Sequence, residues 1–126
     1  MKRLGVIGYG NMGSAIAERI KEEYSVVVFD KDSNKTKNLS GMEAAADIIA
    51  LVKTTEAIIL AVKPQDFEAV LKEIKDVVKD KLVISIAAGI PTGYVEKHLG
   101  GARVVRTMPN LAVSIGQGCT NICGGK

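Results

Sequence analysis

The stretch Gly8-Tyr9-Gly10-Asn11-Met12-Gly13 decides the fold, because it lies between two segments with different hydrophobic periods. An apolar run from Leu4 to Ile7 precedes it, and an amphipathic helical pattern from Asn11 to Glu23 follows it. In a strand-turn-helix setting, the first glycine permits the turn, the second makes room for a pyrophosphate, and the third lets the helix approach the strand. The stretch therefore predicts a strand, a phosphate-binding turn and a helix, in that order.

Three segments have the hydrophobic period of a helix. In the first, Met12, Ile16 and Ile20 recur at four-residue spacing, and we expect this face to pack against the sheet. Apolar residues three and four positions apart predict a second helix from Asp66 to Val78. A third, shorter helix is predicted to open at Ile90-Pro91-Thr92 and to run to Leu99, with His98 facing solvent in its last turn.

Apolar runs alternate with these helical segments and predict six strands in the order βαβαβαβαβαβ. The predicted strands are Leu4 to Ile7, Val26 to Phe29, Met42 to Ala45, Ala57 to Val62, Leu82 to Ala87 and Val104 to Met108. Most are uniformly apolar, which indicates that helices cover both faces of the sheet. The pattern predicts a single domain over residues 1–126, an α/β fold of the Rossmann type with a doubly wound, mainly parallel sheet.

Composition excludes several classes of protein. A content of 47% hydrophobic and 25% charged residues is typical of a globular chain. The net charge of +3 comes from interspersed residues and does not indicate a nucleic-acid partner. No apolar run approaches the roughly 20 residues of a membrane span. Met1-Lys2-Arg3 begins like a signal peptide, but Gly8, Gly10 and Asn11 break the apolar stretch after it, so a cytoplasmic location is the default expectation. Cys119 and Cys123, with His98 as the one histidine, cannot supply a structural zinc site, so no metal is expected.

An acidic residue, Asp30, closes the second apolar run 22 positions after Gly8. In dinucleotide-binding domains a carboxylate here accepts hydrogen bonds from the adenosine ribose and repels a 2′-phosphate, which favours NADH over NADPH. Lys31 and Lys35 follow closely and could neutralise Asp30 or meet a 2′-phosphate, so NADPH is not excluded. The alternative, that Asp30 only forms a turn, stays open.

Three further segments lie at the ends of later predicted strands, where ligands gather in open α/β sheets. They are Ala61-Val62-Lys63-Pro64-Gln65, Ser85-Ile86-Ala87-Ala88-Gly89 and Arg103-Val104-Val105-Arg106-Thr107-Met108-Pro109-Asn110. Together with the glycine stretch, they resemble the pyrroline-5-carboxylate reductases over the entire chain. These oxidoreductases use NAD(P)H to reduce 1-pyrroline-5-carboxylate to L-proline, the last step of proline biosynthesis.

The resemblance implies a set of cofactor-binding residues and no catalytic side chain. Pyrophosphate would bind at Gly8, Tyr9, Gly10, Asn11, Met12 and Gly13; ribose and phosphate groups would lie beside Ala61, Val62, Lys63 and Pro64; and Ala87, Ala88, Gly89 and Asn110 would border the nicotinamide. Lys63 as a solvated lysine and Asn110 in a purely structural segment stay open as alternatives. Asp47, near a position where relatives contact the adenosine, is expected instead to cap the helix after it.

The family's reaction passes hydride from nicotinamide C4 to the imine carbon and requires no protein nucleophile. The family's chains continue into a helical domain that mediates dimerisation and holds the substrate, and these 126 residues contain no counterpart of it. We therefore expect the complete enzyme to be a homo-oligomer, whereas this chain alone is inactive and either monomeric or weakly associating. A stand-alone dinucleotide-binding module, or a domain of a related imine or β-hydroxyacid reductase, remains an alternative.

Overall fold

The computed structural model describes residues 2–78, 81–86, 92–99 and 103–106. Within these residues, strands alternate with helices along the chain. The strands are β1 (Arg3–Ile7), β2 (Ser25–Phe29), β3 (Glu43–Ala44), β4 (Ala57–Leu60), β5 (Leu82–Ser85) and β6 (Arg103–Arg106). The α-helices are α1 (Asn11–Ile20), α2 (Ile48–Lys53), α3 (Pro64–Ile74) and α4 (Thr92–Leu99), and a 3₁₀ turn over Ser33–Thr36 joins β2 to β3.

The strands form one parallel sheet in the order β3-β2-β1-β4-β5-β6. From β1 the chain builds outward through β2 to β3, and it then crosses back to place β4 on the other side of β1. The order of the strands thus reverses between β1 and β4, and ligands of open α/β sheets bind at the carboxyl ends of the strands at such a point. The predicted doubly wound, parallel fold is confirmed.

Each face of the sheet carries its own hydrophobic layer. Leu4, Val6 and Ile59 pack with α1 on one face, whereas Ile7, Ile58 and Leu60 pack with α2, α3 and α4 on the other. Successive side chains of a strand point to opposite faces, so a strand covered on both sides is apolar throughout. All residues of β4 are buried in this way, and full burial of each isoleucine stabilises the fold by about 1.5–3 kcal/mol.

Two helices differ in length from their prediction. α1 ends at Ile20 rather than Glu23, because the N–H groups of Glu23 and Tyr24 both donate to the Ile20 carbonyl oxygen in a turn that leads into β2. α3 begins at Pro64, two residues before the predicted start, since proline fits the first helical position. It ends at Ile74, and Val78 is buried from the turn that follows, which explains why the hydrophobic pattern runs past the end of the helix.

The polar segment between β2 and β3 forms a 3₁₀ turn instead of the α-helix that the alternating pattern predicted. Ser33–Thr36 buries no side chain, so no apolar face holds a longer helix against the sheet. Asp32 caps the turn, with its Oδ1 accepting the Asn34 N–H at 3.1 Å. The strand that follows, β3, is only two residues long and pairs with Val27 and Val28.

Two further predictions concern the sheet ends and α4. β4 ends at Leu60 rather than Val62, and β5 ends at Ser85, so Ile86, which was predicted to be in the strand, lies outside it. Ala87 and Met108, where two strands were predicted to end, lie outside the described residues. His98 is half-buried rather than solvent-facing, because its Nδ1 lies 2.9 Å from the Tyr94 carbonyl oxygen and its ring rests 4.5 Å from the Tyr94 ring. None of the helices in the described ranges has the length and apolar character needed to cross a membrane.

Candidate functional site

The glycine stretch forms the turn between β1 and α1, at the point where the strand order reverses. Gly8 has a φ of +100°, a conformation that side chains with a Cβ rarely adopt. A Cβ at this position would also lie 2.8 Å from the carbonyl carbon and oxygen of Ala61, just beyond β4. The Gly8 N–H donates to the Phe29 carbonyl oxygen at 2.7 Å. The turn is therefore held between the ends of β2 and β4.

Gly13 lets the first turn of α1 rest directly on this loop. It is buried, and a Cβ there would fall inside van der Waals distance of the Gly8 carbonyl oxygen. Any side chain at Gly13 would force the helix away from the end of β1. This close approach fixes the position of the helix N-terminus relative to the turn.

Gly10, in contrast, borders open space. It occupies the N-cap position of α1 with extended backbone, and a Cβ built on it meets no atom of the described chain within 4 Å. The Ser14 N–H makes the bond to the Gly10 carbonyl oxygen at 2.9 Å, and the N–H groups before it lack intrahelical acceptors. Free N–H groups and the helix dipole favour an anion at this end. The open space at Gly10 therefore fits a pyrophosphate.

Met12 does not pack with Ile16 and Ile20 as its spacing predicted. Met12 is 46% exposed and is the one large hydrophobic residue exposed in the described part of the chain. The buried side of α1 is formed by Gly13, Ile16, Ala17 and Ile20. Met12 lies at the edge of that side, because each four-residue step along a helix also rotates by about 40° around its axis. Met12 thus lies largely outside the core.

Asp30 braces the glycine turn from the end of β2. It is half-buried; its Oδ2 accepts the Tyr9 N–H at 2.7 Å and its Oδ1 accepts the Asp32 N–H at 2.8 Å. The Asp32 bond is the local turn contact that the sequence left open, whereas the Tyr9 bond was missed. The sequence alone did not reveal it, because it depends on the parallel pairing of β1 with β2, which sets Ile7 beside Phe29 and hence Asp30 beside the turn. Each carboxylate oxygen keeps a lone pair for a hydroxyl donor.

Lys31 does not neutralise Asp30. Its Nζ lies 3.2 Å from Oδ1 of Asp66, in the first turn of α3. The lysine side chain is 77% exposed and the aspartate side chain 31% exposed, so the pair is at the surface. Lys31, the first cation after β2, therefore pairs with Asp66, a carboxylate that follows β4.

The segment from Ala61 to Pro64 runs along the other side of the turn. Ala61 is half-buried and its N–H donates to the Ile7 carbonyl oxygen at 2.9 Å; Val62 is also half-buried. Lys63 is exposed at the N-cap position of α3 without a side-chain capping bond, and exposed Pro64 opens that helix. The side chain of Lys63 is thus presented to solvent at the mouth of the site.

Of the remaining predicted residues, Asp47 caps a helix and the others lie outside the described ranges. Asp47 caps α2, with its Oδ1 accepting the Ala50 N–H at 2.7 Å, which confirms the capping prediction. The structure brings the glycine turn, Asp30, Lys31 and the Ala61 segment together at the carboxyl ends of β1, β2 and β4. The residues predicted near the nicotinamide lie outside the described part of the chain: Ala87, Ala88, Gly89 and Asn110.

The phenol of Tyr9 points along α1 rather than into the open space. Its hydroxyl donates to Oε2 of Glu18 at 3.5 Å, and its ring packs against the hydrophobic layer under α1. Burial raises the pKa of Tyr9 above its ordinary value, and the negative charge of Glu18 raises it further. The hydroxyl therefore stays protonated at neutral pH and anchors the side chain whose backbone N–H binds Asp30.

A parallel sheet whose strand order reverses at a glycine turn defines the Rossmann class of dinucleotide-binding domains. The sequence fits this class beyond the glycine motif. The chain belongs to the family described as NADP oxidoreductase, coenzyme F420-dependent, whose profile matches residues 3–89.

Individual relatives are similar over nearly all of the chain. The pyrroline-5-carboxylate reductase of Methanosarcina acetivorans is 36% identical, and the match covers 99% of this chain and 50% of that protein. The solved pyrroline-5-carboxylate reductase of Coxiella burnetii is 30% identical with a TM-score of 0.77, covering 83% of this chain and 43% of its own. The Plasmodium falciparum pyrroline carboxylate reductase, solved with NADP bound, is 28% identical with a TM-score of 0.76, covering 89% and 44%. The chain thus spans about half the length of these relatives.

Proposed function

We propose that this chain is the NAD(P)H-binding domain of a pyrroline-5-carboxylate reductase, which reduces the C=N bond of 1-pyrroline-5-carboxylate to give L-proline. The observation that carries the proposal is the open space at Gly10, bordered by the free N–H groups of α1 at the switch point of the sheet. The names of the similar proteins support the choice of substrate.

The described residues supply the adenosine and pyrophosphate parts of such a site. The pyrophosphate is held by backbone N–H groups from Gly10 to Gly13, so no basic side chain is needed there. Asp30, already fixed by the Tyr9 N–H, accepts hydrogen bonds from the ribose hydroxyls. Ala61 and Val62 line the opposite side, and Lys63 offers its charge to the phosphates from the mouth of the site.

The nicotinamide supplies the hydride, and the protein contributes binding, orientation and exclusion of water. We assign neither a nucleophile nor the proton donor to the imine among these residues, so the proposal contains no catalytic side chain. The placement of Ala87, Ala88 and Gly89 against the nicotinamide, with Asn110 at the pocket edge, stays a prediction from the resemblance. Small residues there would let the planar ring lie close to the backbone.

We further propose that Asp30 favours NADH, since a 2′-phosphate on the adenosine ribose would face its carboxylate. The description of the family and the bound NADP of the Plasmodium falciparum relative support NADPH as a second cofactor of the site. Lys31, which directly follows Asp30 in the chain, is a cation that could serve it. NADH and NADPH are therefore both included in the proposal, with NADH bound more tightly.

The domain organisation belongs to the same proposal. Because the chain spans about half of its relatives, we propose that substrate binding and dimerisation require a helical domain that these residues do not contain. This chain by itself would then bind the cofactor without turnover, as a monomer or a weakly associating species. A cytoplasmic location stays a prediction from the sequence.

Cofactor oxidation in the presence of 1-pyrroline-5-carboxylate tests this function. The absorbance of NADH at 340 nm is followed with this chain alone and with this chain joined to a helical domain from a relative. The proposal expects cofactor binding by both and turnover only by the joined form. Binding without turnover in either would favour a stand-alone dinucleotide-binding module, and absence of binding would contradict the proposal.

A further inference from the structure

The ion pair between Lys31 and Asp66 joins the two loops that flank the glycine turn. Lys31 comes two residues after β2, and Asp66 lies in the first turn of α3, which follows β4. β1 lies between β2 and β4, so the ends of these two strands are about 10 Å apart. The long side chain of Lys31 crosses that interval to reach within 3.2 Å of Asp66 Oδ1. The pair thus bridges the adenosine side of the crevice.

We propose that Asp66 is a specificity-determining residue for the cofactor: by pairing with Lys31 it withholds the ammonium group that would bind a 2′-phosphate, and so favours NADH over NADPH. The inference rests on the proposed function, because it concerns the adenosine end of the same site. The role falls to Asp66 on α3, whose backbone hydrogen bond and ion pair join it to Lys63 and Lys31 rather than to the glycine turn.

The charges around Asp30 give the physical reason. We place Asp30 at the ribose hydroxyls, and Lys31 is its neighbour in the chain, so a freed ammonium group would be within reach of a phosphate on the ribose. While Asp66 holds Lys31, the positive charge is compensated and a phosphate meets two carboxylates nearby. A neutral side chain at position 66 removes one of these negative charges and frees the cation. Because NADH has no 2′-phosphate, the affinity for NADH should change little in either case.

Breaking this pair does not threaten the fold. The lysine side chain is 77% exposed, and ion pairs at such surfaces contribute little to the free energy of unfolding. The Asp66→Asn variant keeps the size and shape of the side chain. It also keeps the Asp66 backbone N–H, which donates to the Lys63 carbonyl oxygen at 2.9 Å. A change in cofactor preference in this variant therefore reports on charge rather than on folding.

The same helix offers a matched control. Glu68 pairs with Lys72 on the exposed face of α3, also at 3.2 Å, and Glu68→Gln removes one negative charge as Asp66→Asn does. Dissociation constants are measured for NADH and NADPH with both variants. Adenosine 2′,5′-bisphosphate and 5′-AMP serve as probes of the adenosine end alone. We expect Asp66→Asn to shift the affinity ratio about fivefold toward the 2′-phosphorylated ligand of each pair, and Glu68→Gln to shift it less than twofold.

A second substitution tests whether Lys31 carries the effect. Lys31→Met in the Asp66→Asn background keeps the side-chain length without the charge, and it should abolish the gain for NADPH. An unchanged ratio in Asp66→Asn, or an equal shift in Glu68→Gln, overturns the inference while binding by the unsubstituted chain leaves the proposed function intact. If the unsubstituted chain binds neither NADH nor NADPH, the proposed function fails and this inference fails with it.

Discussion

The backbone N–H of Tyr9 donates to Oδ2 of Asp30 at 2.7 Å, and this bond ties the glycine turn after β1 to the end of β2. The two residues are 21 positions apart in sequence. The second oxygen of the same carboxylate accepts the Asp32 N–H, so Asp30 organises two backbone segments at once. A carboxylate bound in this way is held in one orientation before any ribose arrives, which lowers the entropic cost of binding.

Replacement of Asp30 by Asn tests this coupling. The amide nitrogen cannot accept a hydrogen bond, so either the Tyr9 N–H or the Asp32 N–H loses its partner. Hydrogen bonds to charged groups contribute about 1.5–3 kcal/mol, and we expect the affinity for NADH to fall about tenfold or more. Calorimetric titration measures the change.

The control for that experiment is Asp32→Asn. Asp32 carries the same charge two residues further on, and its Oδ1 only caps the 3₁₀ turn through the Asn34 N–H. We expect its NADH affinity to stay within about twofold, since asparagine also caps turns well. Equal losses in the Asp30 and Asp32 variants would show a general effect of charge and contradict the role of the Tyr9 bond.

Gly10→Leu should separate binding from folding. The φ of Gly10 is −81° and a Cβ there meets nothing within 4 Å, so the fold has room for the side chain. We propose that the pyrophosphate occupies the same space, so NADH binding should be lost while the thermal unfolding midpoint changes little. Gly93→Leu, at another glycine with open space, should leave NADH affinity unchanged. Undiminished affinity in Gly10→Leu would rule out the pyrophosphate assignment.

Gly13→Ala, unlike Gly10→Leu, should destabilise the fold. Its Cβ would collide with the Gly8 carbonyl oxygen, so α1 or the turn must shift. Overpacking of this kind costs about 1–3 kcal/mol, measurable as a lower urea midpoint for unfolding. A free energy of unfolding equal to that of the unsubstituted chain would show that the helix does not rest on the turn as described.

Asp47→Ala tests the capping role of that residue. Loss of the Ala50 N–H bond should lower the free energy of unfolding by about 1 kcal/mol, because the first turn of α2 loses its side-chain acceptor. NADH affinity should not change, since the Asp47 side chain binds the Ala50 N–H at the start of α2. A large loss of affinity with unchanged stability would instead indicate that Asp47 contacts the adenosine.

The sequence was sufficient for the features whose signals are local. The glycine turn was recognised from its flanking strand and helix, and the covered sheet from uniformly apolar runs such as Ala57–Leu60. Contacts between distant residues were out of reach: Tyr9 with Asp30 depends on strand pairing, and Lys31 with Asp66 depends on the strand order. Met12 was misjudged because a four-residue spacing rotates by about 40° per step around the helix, which moves Met12 to the edge of the buried face.

The central claim, that the turn from Gly8 to Gly13 holds the pyrophosphate of a dinucleotide, is tested most directly by NMR. Amide spectra of the ¹⁵N-labelled chain, which has 126 residues, are recorded during a titration with NADH. We predict saturable binding of one dinucleotide, with the largest shifts among the described residues at the N–H groups of Gly10 to Gly13. Saturating NADH that leaves these amides unmoved would contradict it.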